Sequence, residues 1–189
     1  MARSPSAPVG GRMLVGRPPW FAVPVAGLVL TARMSPWLAL FGLLAATQTA
    51  HLLEHLAQMV QLHALGLPAS HARGVIGALD IEWVHFLWNT WVGLAALALL
   101  HRYPRNYWLW LTFAIAAWHG IEHAYILSVY LATGTAGTPG FAARGGLLGG
   151  GLPLARPDLH FAYNVVETAP LVLAFLHQLR RQRASLRLR

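Results

Sequence analysis

Apolar residues in this chain gather into four long runs, at about 36–62, 80–100, 107–131 and 158–179. The polar residues inside those runs recur at intervals of three, four and seven, the period of a helix and not the alternation of a strand. Each run meets or exceeds the roughly 20 residues that a helix needs to cross the hydrocarbon of a bilayer. Ser35 before Pro36 supplies an N-cap followed by a proline at the first helical position. Gly66, Pro68, Gly74 and Gly77 punctuate the first connection, and His101-Arg-Tyr-Pro-Arg-Asn106 makes a tight second one. The third, from Thr133 to Pro157, is rich in glycine and without periodicity, as in a flexible lid or connector. The pattern predicts an all-α integral membrane protein, a four-transmembrane-helix bundle.

Three segments divide the chain. Residues 1–33 carry Arg3, Arg12, Arg17 and Arg33 among several prolines and read as a basic, Pro-rich N-terminal extension, poorly ordered or interfacial. Residues 34–180 hold the helices, and 181–189 form a basic tail. Arginines mark the cytoplasmic side of membrane proteins. Their clustering in the N-terminal segment, the 101–106 turn and the C-terminal tail puts both termini in the cytoplasm, with only Arg73, Arg144 and Arg156 in the opposite loops. Trp37, Trp83, Trp108 and Trp110 stand near span ends, as interfacial belts do. Asp80 and Asp158 open their helices, where the helix dipole favours an acid. The expected location is the cell inner (plasma) membrane, multi-pass, with the lipid bilayer as partner.

Composition agrees: 56% of residues are hydrophobic and 11% charged, against about 25% charged in soluble domains. The net charge of +8 comes from arginines that flank spans, so no nucleic acid partner is expected. Cysteine is absent, which excludes disulfides and thiolate metal sites.

Candidate chemistry lies within the spans. His51-Leu-Leu-Glu54-His55 in the first recurs as His119-Gly-Ile-Glu122-His123 in the third, an offset of 68 residues. His85-Phe-Leu-Trp-Asn89 in the second recurs as His160-Phe-Ala-Tyr-Asn164 in the fourth, an offset of 75. The helices therefore read as two repeated helical hairpins. At 1.5 Å per residue, His51 and His55 lie about 22 and 28 Å along span one, and His119 and His123 about 18 and 24 Å along span three. His85 and His160 lie about 8 and 3 Å below the outer boundary. Glu167 shares a helix face with His160. All these groups converge in the outer half of the bilayer, where ionisable residues need partners. His63, His71, His101 and His177 sit at span ends or in loops and read as peripheral.

Facing helices that each bring a glutamate and a histidine three or four residues apart build carboxylate-bridged dinuclear metal sites. The expected metal ligands are His51, Glu54, His55, His85, His119, Glu122, His123, His160 and Glu167, with Glu54 and Glu122 bridging metals or acting as catalytic bases. Asn89, Asn164 and Tyr163 would orient these ligands. Imidazole and carboxylate without sulfur suit a divalent metal, iron or zinc first, with copper or manganese in the same donor class. Haem is the alternative, held by His51 or His55 opposite His119 or His123.

The spacing His-x-x-Glu-His resembles the inverted zinc-protease signature, which implies two zinc-binding histidines and a glutamate that activates water. The histidine content also resembles membrane di-iron oxygenases and desaturases, although their His-x-x-His-His cluster is absent here. The resulting expectation is a buried His/Glu metal site, possessed by a membrane metal-dependent oxidoreductase or hydrolase acting on a small hydrophobic substrate. The alternatives are a metal-ion or proton transporter and a b-type haem electron carrier. Small residues such as Gly42, Ala45, Ala46, Gly93, Ala95 and Ala96 permit close helix contact, within one subunit or in a homodimer.

Overall fold

The computed structural model describes residues 35–77 and 81–187. Within them the chain forms four helices: α1 (Pro36–Met59), which ends in a π-helical turn (Val60–Ala64), α2 (Glu82–Arg102), α3 (Tyr107–Thr133) and α4 (Arg156–Arg187). The extension 1–33 and the cap residue Asp80 lie outside the described residues.

Local chemistry accounts for the ends. The Ser35 hydroxyl accepts a bond from the Leu38 amide, with Pro36 next to it at N1. The side-chain oxygen of Asn106 does the same for the Leu109 amide, and its nitrogen donates to the carbonyl of Ala174 on α4. α3 stops at Gly134, which takes the left-handed conformation (φ 68°) that glycine adopts without penalty. α4 does not end near 179. No glycine or proline follows His177, and the Leu/Gln/Arg sequence there favours helix, so the arginines expected to form a tail extend the helix instead.

Three helical stretches, Pro36–Ala64, Glu82–Arg102 and Arg156–Ser185, are long and apolar enough to cross a membrane. α3, at 27 residues, has the length. It is not among the three, because His119, Glu122, His123 and its tryptophans and tyrosines lower its hydropathy.

α1 packs against α2 and α4, and α3 against the same two, so α1 and α3 stand diagonally across the bundle. The end at which α1 begins, closed by the short 103–106 turn, is apolar. Phe41, Leu44, Val92, Leu99, Leu109 and Leu171 are buried there in one cluster. Ala45, Ala95 and Ala96 belong to the same core, and Gly42 faces Phe175, so these small residues serve contacts inside one subunit. The other end carries the two long connections and is polar within. Large apolar side chains such as Leu43, Leu53, Leu87, Leu94, Ile121 and Leu173 point outward. An exterior more apolar than half the interior is the arrangement expected of a protein dissolved in lipid.

The glycine-rich connection is a hydrogen-bonded ribbon. Arg144 N–H bonds Leu154 O at 2.8 Å, Gly145 N–H bonds Gly150 O at 2.7 Å, and Leu152 N–H bonds Ala142 O at 2.7 Å. Its glycines admit the backbone conformations that such tight turns need, which a periodicity search cannot see.

Candidate metal centre

Each helix delivers histidine to the polar end: His51 and His55 from α1, His85 from α2, His119 and His123 from α3, and His160 from α4. All six are buried. The 51/55 and 119/123 pairs each lie four apart, so that one helix face presents both. Because α1 and α3 are diagonal, the two pairs face each other across the bundle. His160 is the hub. Its ring lies 4.7 Å from those of His55, His119 and His123 and 4.9 Å from that of His85, centroid to centroid. His85 stacks on His123 at 5.3 Å, which closes the cluster from the far side.

Two groups of ring nitrogens are compact enough to hold an ion. In one, ligand atoms of His51, His55, His85 and His160 lie within 4.8 Å of one another; in the other, those of His119, His123 and His160 do. His160 belongs to both.

Surrounding side chains fix how several of these rings face. Gln58 donates to the carbonyl of Ala72 through its nitrogen, so its oxygen is turned towards His55 Nδ1 at 3.2 Å. That arrangement puts the His55 proton on Nδ1 and a lone pair on Nε2. The carboxylate of Glu167 sits 3.0 Å from His119 Nδ1, with both side chains fully buried. It does for His119 what Gln58 does for His55: a carboxylate behind an imidazole fixes the tautomer and raises the basicity of the other nitrogen. Asn89 and Asn164 each donate to the carbonyl one turn back, those of His85 and His160. Trp88 stacks on His51 at 4.9 Å and Tyr163 lies 5.2 Å from His119.

Many of the remaining polar atoms have no partner. His51 Nδ1, both nitrogens of His85, both of His123, His160 Nε2 and Glu167 Oε1 are buried without a hydrogen bond. Leaving one such group unsatisfied costs about 1–3 kcal/mol. A concentration of them in one pocket is the donor chemistry that a metal ion satisfies, since each lone pair becomes a coordinate bond.

Glu54 and Glu122 turn away from the imidazoles. Glu54 Oε1 accepts from the amides of Ile76 (2.6 Å) and Gly77 (3.3 Å); Glu122 Oε1 accepts from those of Phe141 (2.7 Å) and Ala142 (3.2 Å). At 100° per residue, a glutamate three after one histidine and one before the next stands about 60° and 100° from them around the helix. It therefore lies at the edge of the polar face, where loop amides reach it first. Gly74 and Gly140, with φ of 77° and 76°, lie directly against these carboxylates; a Cβ at either position would collide with them.

Other contributors went unremarked in the sequence. Gln48 accepts from Trp88 Nε1 at 3.0 Å and donates to Asn164 at 3.0 Å, tying three helices together beneath the cluster. Gln48, His51, His55 and Gln58 follow one another at spacings of three and four, so the polar stripe of α1 was legible by period alone. The pair of Glu82 with Arg156 was not, since 74 residues separate them. Their bidentate contact, at 2.6 and 2.7 Å, joins the first turns of α2 and α4. His63 and Asp158 make a second such link at 2.6 Å on the surface.

A cavity of about 240 Å³ leads from the loop end to the cluster. His55, His85 and His160 form its floor, and Gln58, Arg156 and Gly137 stand on its walls. Comparison with family models, curated proteins and solved structures found no match to this chain.

Proposed function

We propose that this protein is a multi-pass membrane protein whose function is carried out at a histidine metal centre, and that it acts there as a metal-dependent oxidoreductase. The observation that carries the metal is the group of partnerless buried nitrogens shared among four helices. His51 Nε2 and His55 Nε2 do meet at 3.2 Å, and His119 Nε2 and His160 Nδ1 at 3.4 Å, but hydrogen-bonded glue between membrane helices would pair the other nitrogens as well. The donor set is imidazole with one nearby carboxylate and no sulfur, which suits iron, zinc or copper better than manganese, a metal that prefers oxygen ligands. A redox-active ion would support oxidation and a redox-inactive one hydrolysis, because bound metal either changes oxidation state or makes water acidic.

The histidines supply the ligand atoms in this reading; Gln58 and Glu167 orient two of them. Glu54 and Glu122 hold the loops that cover the cluster. The paired arrangement of His51 with Trp88, and of His119 with Tyr163, supports two repeated hairpins related by a pseudo-twofold axis along the bundle. Four crossings are supported by the chain path. α2 and α4 both begin at the loop end, where Glu82 meets Arg156, so α3 has to carry the chain back between them. With the arginine distribution, both termini then face the cytoplasm.

Two alternatives fit less well. Translocation needs a polar path to the far side, but Phe41, Leu44, Leu99, Leu109 and Leu171 fill the bundle beyond the cluster and are fully buried. Haem needs a flat apolar slot, whereas these imidazoles pack on one another at 4.6–5.5 Å.

Elemental analysis of full-length protein, purified in detergent without added metal or chelator, tests the reading. Stoichiometric metal is expected in the native protein, with a clear loss of it in His85→Ala and a more complete loss in His160→Ala, whose ring belongs to both ligand groups, at unchanged helical content. Full metal content in both variants, or none in the native protein after reconstitution with each candidate ion, would refute it.

A further inference from the structure

We infer that the cluster is a two-ion centre with unequal halves joined through the ring of His160. In this arrangement the ion held by His51, His55, His85 and His160 receives a small, polar, water-borne substrate, while the ion held by His119, His123 and His160 is closed to it. The inference rests on the metal-binding reading above and assigns roles within it.

Sharing is the first reason. His160 belongs to both ligand groups and is the only residue that does. Its Nδ1 lies 3.4 Å from His119 Nε2, on the side of the second group, and its Nε2 has no hydrogen-bond partner. An imidazole offers one lone pair on each nitrogen once deprotonated, so a single ring can serve two ions where two helices could not bring another ligand. Four nitrogens would hold the first ion, which takes a small further ligand from the cavity as a fifth. The second has three, with the buried carboxylate of Glu167 behind His119 to offset its charge.

Access is the second. The cavity is floored by His55, His85 and His160, and neither His119 nor His123 lines it. The second group is covered on its own side: Tyr163 lies against His119, its hydroxyl accepts a bond from Trp118 at 3.1 Å, and Phe141 packs on Trp118 at 5.8 Å. A molecule arriving from the loop end therefore meets the four-histidine ion.

Size and lining set the substrate class. At about 240 Å³ the cavity is smaller than the roughly 300–1,000 Å³ of pockets for drug-sized ligands. Its walls carry an amide (Gln58) and the guanidinium of Arg156, whose charge Glu82 balances. Such a pocket takes a molecule of a few heavy atoms that can bind a metal through a lone pair. Ala69, Gly137, Arg156 and Pro157, all at the loop end, complete its lining, so we take the route to be aqueous.

Loading the purified full-length chain with copper(II) separates the possibilities. Two ions per chain are expected, with an electron paramagnetic resonance intensity well below that of two isolated ions because the shared ring couples them. Azide, a small anionic metal ligand, should shift the optical spectrum at one equivalent per chain. His123→Ala should keep one ion, recover the full single-ion signal and still respond to azide; His51→Ala combined with His55→Ala should keep one ion that does not respond. One ion per chain in the native protein, or two that give the full uncoupled signal, overturns the shared centre while leaving metal binding intact. No response of the native protein to azide, or the reverse pattern in the two variants, overturns the assignment of the open half. Failure to bind any ion would sink the underlying metal reading instead. The stoichiometry, signal intensity and azide titration of the native protein decide the question even where a variant does not fold.

Discussion

A neutral imidazole binds one metal ion through one nitrogen while its proton sits on the other, and two residues make that choice for His55 and His119. Gln58 is held by the Ala72 carbonyl, which leaves its oxygen to accept from His55 Nδ1. Glu167 accepts from His119 Nδ1 with both groups shielded from solvent. Replacing Glu167 with Gln keeps the shape and an acceptor but removes the charge. Loss of such an orienting partner typically weakens metal binding by about 10–100-fold, and competition with a chromophoric chelator should show a change of that order with helical content unchanged. Native affinity in Glu167→Gln would mean that His119 is not a ligand. At this scale the histidines were plain in the sequence, because imidazole inside an apolar run has no other ready explanation. The direction of Glu54 and Glu122 was not. Spacing puts a side chain on a helix face, but whether it turns inward or up to a loop depends on which amides the loop brings near.

At the scale of elements, each long connection is fastened to the helix before it through one glutamate and one glycine. Gly74 lies on the Glu54 carboxylate and Gly140 on that of Glu122, both in the left-handed region. A side chain there meets two penalties, about 1–2 kcal/mol for the backbone conformation and the displacement of a carboxylate from its bonds to the loop amides. Gly120 on α3 is the contrast: it is helical and a Cβ would meet nothing within 4 Å. Gly140→Ala should therefore lower the melting temperature in detergent, while Gly120→Ala should raise it slightly, since glycine in a helix interior costs about 0.5–1 kcal/mol relative to alanine. Equal effects of the two substitutions would show that the carboxylate contact does not hold the loop. Helix starts at Ser35 and Asn106 follow from local capping. The ribbon at 134–155 follows from backbone bonds between residues up to ten apart, and glycine content alone reads the same whether or not those bonds form.

For the whole molecule, the division into a polar half and an apolar half sets what it can do. The apolar half at the 103–106 turn anchors the four helices, and the polar half spends buried space on imidazoles that contribute no apolar packing of their own. Exposed leucines around both halves make a membrane the natural solvent. Both ends of the chain should lie on one side, that of the 101–106 turn and its arginines. An enzymatic reporter fused after Arg189 should be active in the cytoplasm; activity on the opposite side would invert the proposed orientation and place the cavity mouth in the cytoplasm.

Length and helical period were enough to predict a helical bundle with candidate membrane-spanning helices and histidines from every helix at one level along it. Those are properties of single segments, and rise per residue converts position in the chain directly into position along a helix. Pairing across the bundle was decided only by tertiary structure: the hub position of His160, the Glu82–Arg156 clasp, the turn of Glu54 and Glu122 towards the loops, and the cavity that reaches His55 and His85 but not His119 or His123. Each depends on how far one helix is rotated and shifted against another. That rotation is settled by the packing of large core side chains such as Phe41 and Leu171, at the opposite end of the bundle from the histidines it brings together.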